Sequence, residues 1–518
     1  MQHHTIGFDK SHQFSAIFLD YIQKNEQLKP FYNYFPTIEN FEKQIKIKEK
    51  FSTAQRTILV ESLDNQYKNI GIETPKVVFS LQNENTFTVT TGHQLCLATG
   101  PLYFIYKIIT VINLAKQLKE KYPQYQFVPV YWLASEDHDF AEVNHFHLFG
   151  KKIEWQSEQK GAVGRFLLHN LKELLTQIPD FPTHWIENFY KDNLNLSQST
   201  RLLVTELFKN TDLICIDADD IALKKSFIPI IKDEVLTQKS FKIVQKTTED
   251  LSKYYKTQIN PRTINLFYLD NQQRERIIEN DNDFEILNTN ITFSKEKMIE
   301  EINHFPEKFS PNVVLRGVYQ EFILPNLAYI GGPGELAYWF QLKECFEAYQ
   351  VDFPILMPRN FVLYISSSQA KKINKFDFDW ENWFENETNL KKMYLLKNDA
   401  DNIVLNEETS KTKEIFTIIK QKTENLDKGL VDWIGAEEHK VLKSLENIEK
   451  KLQKTAETKA ETALKQIFSI KEKLFPNGVL QERYDNFLNF YINNPNFIQE
   501  IQANLSPFNF ELNILIEE

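Results

Sequence analysis

Cysteine is the first shortage in this chain: its 518 residues include only Cys96, Cys215 and Cys345, far apart and with no paired spacing. That pattern excludes a disulfide framework and a zinc knuckle, and it fits a reducing compartment. Glycine is also thin, at 14 residues, and it gathers in a few clusters, so each cluster is worth reading. Positive charge is outnumbered, with 60 Lys and Arg against 71 Asp and Glu, for a net charge of −11. Such an acidic balance argues against a general binder of phosphate backbones, and no nucleic-acid partner is expected. No basic segment followed by an apolar run opens the chain. The most apolar helix-like stretch, 102–118, carries Lys107, Asn113 and Lys116. It is too short and too polar to cross a bilayer, so the expectation is a soluble, cytoplasmic protein with no membrane partner.

What is present is ordinary globular material, 42% hydrophobic and 25% charged, with 41 Phe and 21 Tyr to bury. The length exceeds one compact core, and two to four units of roughly 100–200 residues are expected. Residues 1–80 read as helical, from the spacing of Phe14, Ile17, Phe18, Tyr21 and Ile22 and the periodic run 41–64. A β-rich strand then runs from Thr86 into Gly92, His93 and Gln94. Gly100 and Pro101 start a helix to about Lys121, and a second strand covers 127–134. Strand, glycine loop, helix, strand is a βαβ unit and predicts a parallel sheet. Further strands are expected at 212–216, 327–330 and 353–357, with helices over 313–324 and 335–349. The stretch from about 150 to 305 gives mixed signals and reads as insertions into the sheet domain. Residues 436–475 hold neither Gly nor Pro and carry an apolar seam through Val441, Leu445, Ile448 and Leu452. With the helix-like run 409–426 they predict an antiparallel hairpin, its turn near Gly429 to Gly435.

Ligands of a parallel α/β sheet bind at the carboxyl ends of its strands. Three polar clusters fall there. The first is Thr91, Gly92, His93 and Gln94 with Gly100, Tyr103 and Lys107: either a close-approach ligand loop or a turn that needs positive φ at Gly92. The second is Ser135, Glu136, Asp137, His138 and Asp139, followed by Asn144, His145 and His147. Three acids and an imidazole suit holding an amine and taking its proton, while a solvated acidic turn is the plain alternative. The third is Gly331, Gly332, Pro333, Gly334 and Glu335, an anion-friendly loop that lacks the lysine of a phosphate-binding P-loop. Arg316, Gln320 and Arg359 flank it as candidate clamps for carboxylate or phosphate.

Longer blocks carry a resemblance. Thr-Gly-His-Gln (91–94) through Gly-Pro-Leu-Tyr-Phe-Ile-Tyr-Lys (100–107) is the first. Trp-Leu-Ala-Ser-Glu-Asp-His-Asp (132–139) and Tyr-Ile-Gly-Gly-Pro-Gly-Glu-Leu-Ala-Tyr (329–338) follow, and Leu-Phe-Pro-Asn-Gly-Val-Leu-Gln-Glu-Arg (474–483) closes the set. In order and spacing the chain resembles the cysteine-adding enzymes of bacillithiol biosynthesis. The resemblance implies an α/β, Rossmann-like parallel-sheet core with connecting-peptide insertions, akin to class I aminoacyl-tRNA synthetases, plus a C-terminal helical coiled coil. It implies a division into 1–80, the helical N-terminal part; 81–385, the catalytic core; 386–475, the coiled coil; and 476–518, a segment returning to the core. It further implies a ligase that adds L-cysteine to the amine of glucosaminyl malate, working as a homodimer through the coiled coil. His93 stands where many members have Gln, which adds a titratable group. Glu136, Asp137, His138 and Asp139 become the catalytic candidates, and Asn477 and Arg483 mark a second ligand pocket. Joining a free carboxylate to an amine calls for a nucleotide (ATP/ADP), although no lysine-loop motif announces one, and no metal is expected. The competing classes are a metal-dependent hydrolase using His138, His145 and His147, and a non-catalytic coiled-coil scaffold.

Overall fold

A computed structural model describes residues 1–270, 272–281 and 283–518, which divide into two compact units. The first unit comprises 1–364 with 480–515, and the second comprises 365–479 with 516–518.

The centre of the first unit is a parallel sheet of five strands. They are β1 (Thr86–His93), β2 (Gln126–Leu133), β3 (Ile214–Asp217), β4 (Asn326–Gly331) and β5 (Ile355–Pro358), in the order β5-β4-β1-β2-β3. β1 pairs with β2 in unbroken register from Thr86 opposite Gln126 to His93 opposite Leu133. Both faces of the sheet are covered, so its strands are rich in β-branched and apolar residues and not alternating. Thr88 and Thr90 are buried in β1, and the Asn326 carboxamide accepts both hydroxyls, at 3.1 and 2.8 Å. That side chain sits where the β1–β4 register shifts.

Helix α1 (Tyr103–Lys121) crosses from β1 to β2 and is buried along most of its length. Its Asn113 amide donates to the carbonyls of Gln502 and Leu505, so the polar residues that rule out a membrane span serve packing against the returning C-terminal segment. Helix α2 (Val313–Ile323) leads into β4, and α3 (Pro333–Trp339) follows it. The single helix expected over 335–349 is two: after α3 the chain turns and resumes at Lys343–Ala348.

Two further departures from the sequence reading concern strands. The N-terminal part is helical at Ala16–Ile22, Asn40–Lys48 and Thr53–Lys68, but it opens with a strand, Gln2–Ile6. This strand joins a three-stranded sheet with Leu512–Ile516 and Phe361–Ile365, and its partners lie too far along the chain for local periodicity to reveal. The 150–305 insertions contain an antiparallel sheet of Leu266–Asp270, Gln273–Asn280, Asp283–Ile286 and Thr292–Ser294, completed by Phe309–Pro311.

The segment 480–515 is bound into the first unit by side chains that imitate a strand. Gln481 accepts the Tyr364 N–H and donates to its carbonyl, both at 3.0 Å, and Glu482 accepts the Val362 N–H at 3.1 Å. Glu482 also takes both terminal nitrogens of Arg359, at 2.8 and 2.5 Å. Both residues are almost wholly buried.

The second unit begins at Ile365, ahead of the boundary at 386 read from the sequence, because Ile373, Phe376, Trp383 and Phe384 are buried in it. Its helices are α4 (Glu387–Ile403), α5 (Asn406–Glu424), α6 (Val431–Lys459) and α7 (Glu461–Leu474). α5 and α6 form the expected hairpin. Its turn is 425–430, however, and Gly435 lies inside α6, where no positive φ is required. The uninterrupted rod expected over 436–475 breaks at Ala460. Along the hairpin Ile415, Ile418, Trp433, Val441 and Ile448 stay exposed. Among the described residues no helix is long and apolar enough to cross a membrane.

Replacing Glu482 with Gln strands a buried guanidinium, and removing one partner of such a pair costs about 3–5 kcal/mol. The E482Q variant is therefore expected to unfold at markedly lower urea than the parent, and a parental midpoint would show that Arg359 does not depend on that carboxylate.

Candidate active site

The carboxyl ends of β1, β2, β4 and β5 open on a cleft of about 610 Å³. The three sequence clusters meet there. Gly92, His93, Gln94, Tyr103 and Lys107 line one part; Ser135, Glu136 and Asp137 another; Arg316, Gly332, Pro333, Gly334, Glu335 and Arg359 a third. Arg483 also faces this cleft and not a second pocket, while Asn477 belongs to the other unit, exposed, with its N–H on Glu472.

Besides Asn477, seven of the candidate catalytic and binding residues do not line the cleft. Thr91 gives its hydroxyl to the Ile330 carbonyl across the sheet, at 2.8 Å. Gly100 has φ +66, and a Cβ there would lie 2.5 Å from Cys96 Cβ, so its glycine serves the turn. Asn144 donates to the Trp155 carbonyl, and Gln320 to Glu321. Gly331 is buried, with its carbonyl accepting the Arg359 N–H. Asp139 caps the short helix Phe140–Val143. His138 is half exposed, and its Nδ1 lies 3.0 Å from Arg274 Nη1, a group that only donates. The three histidines of the metal reading do not converge. His145 bonds Asn144, His147 stacks on Tyr484 at 4.0 Å, and no cluster of three metal-binding side chains exists among the described residues.

Gly92 does not have positive φ. It is a strand residue, and a Cβ there would stand 3.3 Å from Arg316 Nη1, a tight contact to which the guanidinium would have to give by a few tenths of an ångström. His93 is packed against Tyr103 and Phe104, and burial, reinforced by Lys107, brings its imidazole down to about 3. It therefore stays neutral and adds no titration near neutral pH.

Lys107 is buried, and its ammonium meets Glu335 at 2.5 Å and the Gly92 carbonyl at 2.9 Å. Burial pulls the ammonium below its ordinary range, against the pull of Glu335. Burial would likewise raise the Glu335 carboxyl, but Lys107, the Tyr329 hydroxyl and the Gly332 N–H outweigh it and hold the carboxyl at about 2. The glycine loop after β4 is thus closed on its own acid, and Lys107, read from sequence as a ligand clamp, is already matched. Arg359 is likewise paired with Glu482, but its Nε has no partner and faces Gly332. Arg316 differs from both: its hydrogen bonds go to Tyr338, Tyr329 and Gln320, all neutral. It is a cation at the cleft with no acid in ion-pair range among the described residues.

Across the β2 end the charges are negative. Burial raises the Glu136 carboxyl, against its ion pair with Lys224 at 2.5 Å. Asp137 is opposite in behaviour: burial would raise it, but Gln94 at 2.8 Å, Arg274 and two backbone N–H groups bring it below its ordinary value. Behind them Asp217, raised by burial, accepts the hydroxyls of Ser135 and Ser197. The segment after the first insertion braces this loop, since Val163 and Gly164 donate their N–H groups to the carbonyls of Asp137 and Ser135 at 2.7 and 2.8 Å.

Sequence reasoning missed Lys224, Arg274, Phe267, Gln258 and Ile259. Arg274 lies over the Phe267 ring at 4.0 Å, and both line the cleft from the insertion sheet. Nothing local in their strands states that they overhang a distant strand end.

Glu335 supplies a pH signature. Its folded value lies below the ordinary 4.5, so its contribution to stability is full above that value and is lost as pH falls toward about 2. Urea unfolding between pH 5 and 2 is expected to lose stability more steeply in the parent than in E335Q. Equal slopes would mean that the Lys107–Glu335 pair is not carrying that dependence.

Residues 1–360 match the family described as the N-terminal Rossmann-like domain of bacillithiol biosynthesis BshC, and residues 362–517 match its C-terminal coiled-coil domain. A Flavobacterium johnsoniae protein named "Putative cysteine ligase BshC" is 43% identical, over 98% of this chain and 99% of its own. Proteins of the same name from Cytophaga hutchinsonii and Bacillus mycoides are 40% and 29% identical, over 99% and 92% of this chain and 98% and 93% of theirs. A solved structure described as an arginyl-tRNA synthetase from Campylobacter jejuni aligns over 84% of this chain and 98% of its own at 11% identity, and its TM-score of 0.20 carries no argument. With a Rossmann-like part and a coiled-coil part matched across nearly its whole length, the chain belongs to the BshC family of bacillithiol biosynthesis.

Proposed function

We propose that this chain is a ligase that joins the carboxyl of L-cysteine to the amine of glucosaminyl malate, forming an amide in the last step of bacillithiol biosynthesis. One observation carries the reading. The cleft sets two carboxylates, Glu136 and Asp137, against a guanidinium, Arg316, whose own partners are neutral. An acceptor that is both an amine and a dicarboxylate is complementary to that polarity, since a carboxylate holds an ammonium and a guanidinium holds a carboxylate.

Asp137, kept ionised by Gln94 and Arg274, holds the ammonium form of the acceptor. Glu136, whose carboxyl burial raises, takes the proton that the amine must lose before it attacks. A nucleotide fits the same cleft. The unpartnered Arg359 Nε beside Gly332, the Arg316 guanidinium and the open flank of Gly334 would hold its phosphates. When bound it would supply activation of the cysteine carboxylate.

Incubation with glucosaminyl malate, L-cysteine and ATP is expected to give a thiol product detectable by mass. Replacing Asp137 with Asn is expected to lower turnover by about 10²–10⁴-fold. A parent that makes no product would overturn the ligase reading, and an unimpaired D137N would remove Asp137 from it.

We also infer a homodimer through the α5–α6 hairpin, because Ile415, Ile418, Val441 and Ile448 remain exposed on helices that carry Glu and Lys on their flanks. Sedimentation at micromolar concentration is expected to show a dimer for the parent and a monomer for I415E/I448E. A monomeric parent would defeat the dimer while leaving the chemistry intact.

A further inference from the structure

Residues 253–265 run without helix or strand between the helix Lys239–Ser252 and the strand Leu266–Asp270. In the middle of this strap Gln258 and Ile259 line the cleft. Their backbone has no strand to pair with, and one side chain takes its place. Gln341, fully buried just after α3, accepts the N–H of Gln258 at 2.9 Å and of Ile259 at 3.1 Å through Oε1. Its Nε2 donates to the Ile259 carbonyl at 2.9 Å and to Thr248 Oγ1 at 2.8 Å. A carboxamide has two acceptor lone pairs and two donors, and here all four are used. Gln341 therefore serves as the peptide group of an absent neighbouring strand.

The rest of the strap is tied near its two ends. The Tyr255 hydroxyl donates to Asp20 at 2.6 Å, and Asn265 accepts the Arg262 N–H at 2.9 Å while donating its own N–H to Glu234 at 2.7 Å and its amide to Ser240 at 2.6 Å. None of these bonds touches the two residues that face the cleft. Gln341 lies three residues beyond Tyr338, whose hydroxyl takes the Arg316 bond at 3.1 Å, so the clasp and one of the Arg316 partners share one short stretch of chain.

We infer that Gln341 is a positioning residue for acceptor binding, holding Gln258 and Ile259 as the cleft wall beyond the strand ends. The assignment rests on the ligase reading above. Of the two molecules to be joined the acceptor is the larger, and it is the one assigned wall area from outside the sheet, the nucleotide phosphates being assigned to Arg359 and the flank of Gly334. Cysteine is small enough to be held by contacts at the strand ends alone. Loss of the clasp weakens binding of the acceptor without touching the groups that handle its proton, so the effect falls on KM and spares kcat.

The test uses the full chain with Q341A and T248V, the second removing only the hydroxyl that orients the Gln341 amide. Q341A is expected to raise the KM for glucosaminyl malate about tenfold, with kcat and the KM for cysteine within about threefold of the parent. T248V is expected to move the same constant in the same direction by a smaller factor, and it decides the matter should Q341A not fold. Without any substrate, trypsin cleavage after Lys256 and Arg262 is expected to be about fivefold or more faster in Q341A, because local opening governs the rate. An unchanged acceptor KM, or a fall in kcat alone, overturns the positioning role. Equal trypsin rates overturn the clasp itself. A parent without ligase activity would remove the acceptor assignment while the trypsin rates still decided the clasp.

Discussion

A buried ammonium must be answered by a buried anion, and in this core Lys107 is answered by Glu335. Lys107 sits in the opening turns of α1, where the helix dipole disfavours a cation. Glu335 lifts that penalty from the helix that follows the neighbouring strand, β4. By reaching Lys107 while also taking the Gly332 N–H, it draws the loop after β4 down onto the end of β1. The same rule recurs around the cleft, with Arg359 matched by Glu482 and Lys224 by Glu136. Because these charges are matched within the protein, the polarity left for a ligand is narrow: the Arg316 guanidinium on one side, and on the other the Asp137 carboxylate beside the Glu136 that Lys224 already holds.

The sheet was legible because its strands are short runs of β-branched and aromatic residues that end in glycine or acid, a pattern set by local sequence. The location of the site followed from the same rule, since strand ends in a parallel sheet all point one way. What local sequence could not state was which charge meets which. Lys107 and Glu335 are both visible in the sequence as polar residues near glycines, yet only the folded sheet shows that they neutralise each other. Gly92 illustrates the same limit. A glycine before a histidine reads as a turn, but it lies in a strand, with the Arg316 side chain arriving close to it from α2. His138 fails for a related reason: it belongs to a dense run of acids, and the fold turns it out toward Arg274 on the insertion.

The insertions explain the remaining gap. Core strands supply the carboxylates and the glycine loop, whereas Phe267, Arg274, Gln258 and Ile259 come from segments whose own periodicity is that of an unrelated small sheet and an irregular strap. Chemistry and enclosure are thus encoded in different parts of the chain. The first sits beside strand ends, where a rule can find it. The second is placed only by long-range packing, such as the buried carboxamide of Gln341.

The three cysteines have a consequence of their own for a protein of a thiol-producing pathway. Cys96, Cys215 and Cys345 are all free and buried, and burial pushes Cys96 and Cys215 up to about 12 and raises Cys345 as well. Mixed disulfides form by attack of a thiolate, and none of these sulfurs offers one at neutral pH or can be reached by a disulfide in solution. The folded chain therefore presents no thiolate for exchange with small thiols and disulfides, and a change of redox poise finds none of its sulfurs at the surface to cap or crosslink.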